Sequence, residues 1–318
     1  MGDEKFSVGV DIGGTNVAFG LVSKNGNISS VGKLQTEDYA YHKDLINAIK
    51  ENIYPAILKS GLENCTGIGI GAPNGNFYKG TIEYPPNLPW KGVIPFAEDV
   101  KAIFNLPAYL TNDANAAAIG EMTFGITKGV NDFIMITLGT GVGSGIVIDG
   151  KIVLGSNGMA GELGHTSLIP NGRLHPTTGL KGTLESYCSA TGVVITAKEM
   201  LKSYSGNSLL QDFATDEISS KIIYECAVKG DKLSNEIFNY TGELLGRALA
   251  NFIMFSAPEI IVLFGGLTKA GDYILNPVKK SIDDNLLKTF KGTCQIKLSA
   301  LNEDYAAILG AAALVPMD

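Results

Sequence analysis

Two stretches of the chain share one arrangement of apolar and polar positions. Val8-Gly-Val-Asp11-Ile-Gly13-Gly14-Thr15-Asn16 and Ile136-Thr137-Leu-Gly139-Thr140-Gly141-Val-Gly143-Ser-Gly145 are each an apolar run that breaks into Gly and Thr and then resumes. That pattern predicts a strand, a tight turn and a returning strand. Gly permits positive φ and the close approach of a bulky anion. Thr hydroxyls and free N–H groups donate to phosphate oxygens. On this reading Gly13, Gly14, Thr15 and Asn16 form one phosphate-gripping turn, and Thr137, Gly139, Thr140 and Gly141 form a second. Asp11 stands at the strand–turn boundary, where a carboxylate holds Mg²⁺ through its water shell. One such turn is a weak sign, since many hairpins carry Gly-Gly. Two of one design predict a nucleotide site and an enzyme that handles ATP.

The rest of the pattern alternates strands with helices. Residues 6–34 read as a three-strand meander with a turn at Lys24-Asn-Gly26-Asn. His42 to Lys59 carries Leu45, Ile46, Ile49, Ile53, Ile57 and Leu58 at helical spacing. Gly67-Ile-Gly-Ile-Gly71 and Ala108-Tyr-Leu-Thr111 read as strands, the second feeding Asn112-Asp113 and a helix over Ala114–Met122. From Glu217 to Ala257 the pattern is helical, most clearly between Ile237 and Ile253, and Glu259-Ile-Ile-Val-Leu-Phe264 is a strand ending in Gly265-Gly266. A helix over Tyr273–Leu287, a strand near Gln295–Leu298 and an Ala-rich helix from Tyr305 complete the chain. This order predicts an α/β protein with two similar halves. The expected spans are 1–112 plus 304–318 for the smaller N-terminal α/β domain, whose partner helix is the last one, and 113–303 for the larger C-terminal domain.

Composition narrows the function classes. At 318 residues the chain is long enough for two domains. Its formal charge of −7 argues against a nucleic-acid surface, which needs a basic patch. No run of apolar residues reaches the ~18 of a membrane span. The charged start, Met1 to Lys5, shows no secretory signal, and Phe6 stands where a myristoylation motif at Gly2 requires Ser or Thr. Cys65, Cys188, Cys226 and Cys294 have no CxxC spacing, as expected of reduced thiols in a cytoplasmic protein.

Four motifs in order then carry a family likeness: Asp11-Ile-Gly-Gly-Thr15, Asn112-Asp-Ala-Asn-Ala-Ala117, Leu138-Gly-Thr-Gly-Val-Gly143 and Gly158-Met-Ala-Gly-Glu162-Leu-Gly-His165. Together they resemble the ROK family of repressors, open reading frames and sugar kinases, over residues 6–315. The resemblance implies the actin-like ATPase (ribonuclease H-like) fold, two α/β domains around a cleft that takes a nucleotide and a sugar. It makes Asp113 the general base that accepts the proton of a sugar hydroxyl as it attacks the γ-phosphate. The plain alternative for Asp113 is the N-cap of the following helix. Asn112 offers a donor and an acceptor to a sugar hydroxyl. Glu162 and His165, three apart, face one way on a helical turn; alone they read as an ordinary surface or capping pair, and in company with the other motifs they suit adjacent hydroxyls. Glu185, in Gly182-Thr-Leu-Glu185, matches the family's sugar contact, and Asn87 is placed on the other wall of the pocket. Trp90 beside it is equally a core residue. Gly265 and Gly266 fall under the adenine and ribose, or else form a bare turn.

The sequence departs from the family at two places. Many relatives carry a Cys-x-Cys-Gly-x-x-Gly-Cys-Leu-Glu run before the sugar-binding glutamate, and its three cysteines bind a structural zinc together with the histidine. Here His175-Pro-Thr-Thr-Gly179-Leu-Lys-Gly182-Thr-Leu-Glu185 has no cysteine. Two threonines cannot replace two thiolates, so zinc is not expected. Asn16 stands where many relatives have Lys, which leaves more of the phosphate charge to Mg²⁺ and backbone N–H groups. The resemblance thus implies ATP and Mg²⁺ as cofactors, glucose phosphorylated at its 6-hydroxyl, and a homodimer. Kinases of N-acetylmannosamine or N-acetylglucosamine are the nearest alternative, because an added acetyl group changes pocket affinity by only ~1–3 kcal/mol. A non-catalytic sugar-sensing regulator is the alternative of another class. The acidic charge, and a start just ahead of the first strand, count against the DNA-binding segment such regulators carry. A filament-forming actin relative would not need Glu162, His165 and Glu185.

Overall fold

The first apolar run folds as strand β1 (Phe6–Ile12), turns, and returns as β2 (Asn16–Ser23), and β3 (Ile28–Gln35) completes an antiparallel meander. The structure, a computed structural model, describes residues 4–317, so Gly2 and the expected span ends at 1–3 and 318 lie outside the described residues. Helix α1 (His42–Ser60) leads to β4 (Cys65–Ala72), which pairs parallel to β1. Strands β5 (Gly75–Asn76), β6 (Thr81–Glu83) and β7 (Val93–Ile94) form a small antiparallel sheet. Helix α2 (Phe96–Phe104) precedes β8 (Ala108–Asn112), parallel to β4, and α3 (Asp113–Phe124) follows β8 without a break. The first large sheet therefore runs β3-β2-β1-β4-β8.

The second apolar repeat gives β9 (Phe133–Leu138), β10 (Val142–Ile148) and the short β11 (Lys151–Ile152). A long loop then reaches α4 (Glu185–Cys188) and α5 (Ala190–Ser203). Next come α6 (Ser220–Val228), α7 (Lys232–Ser256), β12 (Ile260–Phe264), α8 (Asp272–Asn285), β13 (Gln295–Leu298) and α9 (Ala306–Ala312). The second large sheet runs β11-β10-β9-β12-β13. Each large sheet has five strands and ends in two that pair parallel, β4 and β8 in the first and β12 and β13 in the second. The two similar halves expected from the repeated motif are therefore present. The helical pattern over Glu217–Ala257 is carried by two helices, α6 and α7. Gly230, at φ 86°, turns the chain out of α6, and the Asp231 side chain caps α7 by accepting from Ser234 N.

The chain divides into two compact units. One comprises residues up to Asn131, Gly145–Gly161 and those from Ser299 onward; the other comprises Asp132–Ser144 and Glu162–Leu298. In the first unit, strand alternation decides which side chains meet which helix. Phe6, Val8, Val10 and Ile12 point into a core shared with Leu45, Ile49, Ile53 and Ile57 of α1. The intervening positions face α9: Ser7 Oγ donates to the Ala312 carbonyl at 3.1 Å. Gly69, on β4, lies so close to α9 that a Cβ there would overlap the Ala311 carbonyl oxygen. Helix α9 cannot back away without losing its apolar contacts. Gly69→Ala is therefore expected to lower stability by about 2–3 kcal/mol, read as a fall in urea midpoint. An unchanged midpoint would mean that α9 is free to shift. Among the described residues, no helix is long and apolar enough to cross a membrane.

Candidate functional site

In the first unit three parallel strands end side by side, with Asp11 on β1 paired to Gly71 on β4, and Gly71 to Thr111 on β8. The alternation that sends Val10 and Ile12 into the core turns Asp11 to the opposite face. Helix α3 starts on that face. A Cβ on Gly71 would stand 3.7 Å from Asp113 Cα and 3.8 Å from Asp11 Oδ1, so the glycine leaves the two aspartates as neighbours. Asn112, not Asp113, is the N-cap of α3: its Oδ1 accepts from Ala114 N at 2.9 Å. Asp113 is the first helical residue and also accepts from Ala114 N, at 2.8 Å through Oδ1. The N-cap position itself thus falls to Asn112, and the Asp113 carboxylate shares the same N–H.

Both carboxyls are displaced from ordinary behaviour. Burial, and then the neighbouring Asp113 carboxylate, push Asp11 up from 3.8 to about 7. Asp113 keeps solvent-accessible surface. Protein crowding its carboxyl nevertheless raises its pKa, against the pull of the Ala114 N–H.

The turn after Asp11 is stiff. Gly13 N donates to Asn16 O at 2.9 Å. Buried Thr36 braces the turn twice, through its hydroxyl to Gly13 O at 2.8 Å and its N–H to Thr15 O at 2.9 Å. Gly14 and Thr15 face solvent. Asn87 is brought to the same place: a Cβ on Gly14 would come within 2.9 Å of its carbonyl oxygen. Gly13, Gly14, Gly139 and Gly141 all lack positive φ, so handedness is not why glycine occupies the two turns. Close approach is the reason at Gly14 and Gly141. Trp90 belongs to the core, stacked on Phe96 with Nε1 donating to Tyr39 O at 3.0 Å.

In the second unit the other Gly-rich turn is tied to the start of α5. Ala190 N donates to Gly139 O at 2.8 Å and Thr191 Oγ1 to Thr140 O at 2.9 Å. Thr137 is a brace inside the hairpin, accepting from Gly143 N at 3.1 Å. Gly265 has φ 104° and lies against Leu138 O, where a Cβ would come to 2.7 Å. Gly266, Leu138, Gly139 and Thr140 line a cavity of about 610 Å³ whose apolar wall includes Phe238 and Leu267, with Tyr224, Lys221 and Lys269 also on its lining. The last three carry no local sequence signal, because helices α6 and α7 and the segment after β12 deliver the walls from distant parts of the chain.

Beside that turn lies a polar cluster. Glu185 Oε2 accepts from Val142 N at 2.6 Å, and its Oε1 meets His175 Nε2 at 2.6 Å. The His175 and His165 rings stand edge-on at 5.8 Å, and His165 Nε2 lies 3.8 Å from Glu162 Oε2. Glu162, His165 and Glu185 are thus brought into one cluster. Glu162 and His165 are joined by a short 3₁₀ turn over Leu163–His165. His175 is a member that the motifs did not select.

The donors here do not fit a tetrahedral zinc. His175 uses Nε2 on Glu185 and Nδ1 on the Thr178 N–H, 3.2 Å away. Cys188 is turned away, its thiol donating to Thr241 O. That leaves His165 Nδ1, buried without a hydrogen-bond partner among the described residues, and one nitrogen does not make a four-ligand site.

The ROK family model matches residues 7–318. The glucokinase of Thermotoga maritima is 33% identical over 311 residues, covering 97% of this chain and 96% of that protein. A crystal structure of the Streptomyces griseus ROK family glucokinase in complex with glucose and AMPPNP superposes with a TM-score of 0.81 at 33% identity, covering 98% of this chain and 99% of that one. The xylose repressor of Caldicellulosiruptor bescii is 30% identical over 298 residues, which are 91% of this chain and 74% of that protein. The fold is the actin-like ATPase fold of the ROK sugar kinases. The chain belongs to the ROK family.

Proposed function

We propose that this protein is an ATP-dependent kinase that phosphorylates glucose at the 6-hydroxyl. The observation that carries the reading is Asp113 at the head of α3, next to Asn112 as the N-cap and neighbour to Asp11 across Gly71, with its pKa raised by burial. Near-full-length likeness to glucokinases supports the substrate. In this reading Asp113 accepts the hydroxyl proton as the oxygen attacks the γ-phosphate. Its raised pKa makes it a better base than an ordinary carboxylate. Asn87, Asn112, Glu162, His165 and Glu185 are the side chains that take sugar hydroxyls in this reading. The two Gly-rich turns hold phosphates with backbone N–H groups and the Thr15 and Thr140 hydroxyls. Thr137 acts as a brace behind the second turn. Asn16 follows the first, Gly266 borders the cavity that would take adenine and ribose, and Gly265 packs against Leu138 beside it.

Asp11 fits a hydrated Mg²⁺, because a buried carboxylate crowded by a second one is relieved by a divalent cation. When bound, the ion neutralises phosphate charge as transfer proceeds. The reading further places the protein in the cytoplasm as a homodimer, with no nucleic acid or membrane partner. The test is ADP release with Mg·ATP against glucose, mannose, fructose, allose, N-acetylglucosamine and N-acetylmannosamine, with a no-sugar control. Preference for glucose is expected. Turnover confined to an acetamido sugar would overturn the substrate and keep the chemistry. ATP binding without turnover on any sugar would point to a sensor.

A further inference from the structure

The loop between 166 and 184 has little regular structure, only the isolated bridges Ser167↔Thr183 and Leu174↔Lys181. Two of its polar side chains are nevertheless withdrawn from water. The Arg173 guanidinium reaches the Ser186 carbonyl, Gly192 O at 3.2 Å, Thr196 Oγ1 at 3.1 Å and Glu199 Oε2 at 2.5 Å. It also lies over the Tyr187 ring at 4.4 Å. With Nε donating to Glu199 Oε1 at 3.2 Å, its five donors fix the loop onto α4 and α5.

His175, 9% exposed, is the second. The Thr178 N–H points at Nδ1 from 3.2 Å, so Nδ1 is the acceptor and the ring proton resides on Nε2. Nε2–H then donates to Glu185 Oε1 at 2.6 Å, while Val142 N–H holds Oε2 at 2.6 Å. Each carboxylate oxygen is held by one donor and keeps a second lone-pair site for an incoming hydroxyl. Because the imidazole donor is neutral, the negative charge stays on Glu185.

We propose that His175 is a positioning residue for sugar recognition: as the neutral Nε2–H tautomer it locks the Glu185 carboxylate in the orientation that receives sugar hydroxyls. The proposal rests on the reading that Glu185 binds sugar. It assigns to a hydrogen-bond clamp the ordering of a loop whose donors do not fit zinc. A carboxylate already ordered loses little freedom when ligand arrives, so the clamp acts on affinity and not on the chemical step.

The test measures glucose Kd by calorimetry, with glucose KM, ATP KM and kcat, for the natural protein, His175→Ala and His175→Gln. Alanine is expected to weaken glucose binding and raise glucose KM by about 10- to 100-fold, the range of a hydrogen bond to a charged group. ATP KM and kcat stay within about 3-fold, and glutamine, which restores an N–H donor, recovers most of the loss. Should the alanine variant not fold, the glutamine variant and the imidazole ¹⁵N spectrum of the natural protein at pH 7.5 decide. Near-natural affinity with glutamine and protonation of His175 on Nε2 support the clamp. Protonation on Nδ1, or glucose binding by the natural protein that alanine leaves unchanged, overturns it. If the natural protein binds no sugar while the Nε2–H tautomer is seen, the sugar-site reading itself has failed and the proposal falls with it.

Discussion

Asp113→Asn is expected to lower kcat for glucose phosphorylation by about 10²-fold or more, while glucose affinity changes far less. General-base assistance is typically worth ~10²–10⁴ in rate, and an amide of the same shape cannot take a proton. The substitution isolates that role because the contacts at the helix start survive it. Asn112 satisfies the first turn of α3, and the amide oxygen of the substituted side chain is able to keep the short contact to Ala114 N. The thermal midpoint should therefore stay near its original value. Steady-state turnover beside calorimetric glucose binding makes the check. Undiminished turnover would remove Asp113 as the base, and a joint loss of binding, turnover and stability would make it a structural residue.

Asp11→Asn is expected to do the reverse to stability, raising it while abolishing turnover. Burial and the Asp113 carboxylate hold Asp11 at about 7 in the folded protein, against 3.8 for the ordinary group. A carboxyl raised in the fold binds its proton more tightly when folded than when unfolded. Ionised Asp11 therefore costs folding free energy, fully so above pH ~7 and not at all below pH ~4. With partial solvent access at the turn, about 2–4 kcal/mol is at stake. Without ligands, the variant should exceed the natural protein in urea stability by that amount at pH 8. The two should converge as pH falls toward 4. Equal stability at every pH would mean that Asp11 is not destabilised as an anion, and the argument for a cation beside it would lose its footing. A functional carboxylate kept at a cost in stability is a familiar compromise at active sites.

How much of this was legible in the sequence differs by kind of contact. The two hairpins were legible because a buried strand needs an apolar run and a turn needs small residues, and both requirements are local. So was α1, from its spacing of Leu45, Ile49, Ile53 and Ile57. Positive φ proved not to be the reason for the turn glycines at Gly13, Gly14, Gly139 and Gly141. Composition cannot tell a glycine required by handedness from one required by a neighbour, and the neighbours here, Asn87 and Glu185, are far along the chain. The same distance hid Thr36 behind the first turn and the partners that Arg173 finds on α4 and α5. Strands β5 to β7, two or three residues each, are too short to show a period. The break between α6 and α7 was written in Gly230-Asp231, a stop followed by a cap, and the apolar spacing on either side masked it.

The most direct test of Asp113-dependent glucose phosphorylation is ³¹P NMR of glucose and Mg·ATP incubated with the protein and with Asp113→Asn. Glucose 6-phosphate is predicted to accumulate with ADP in the natural protein, and at least about 10²-fold more slowly in the variant, although both bind glucose. Release of inorganic phosphate without a sugar phosphate, or equal product from both proteins, would contradict it.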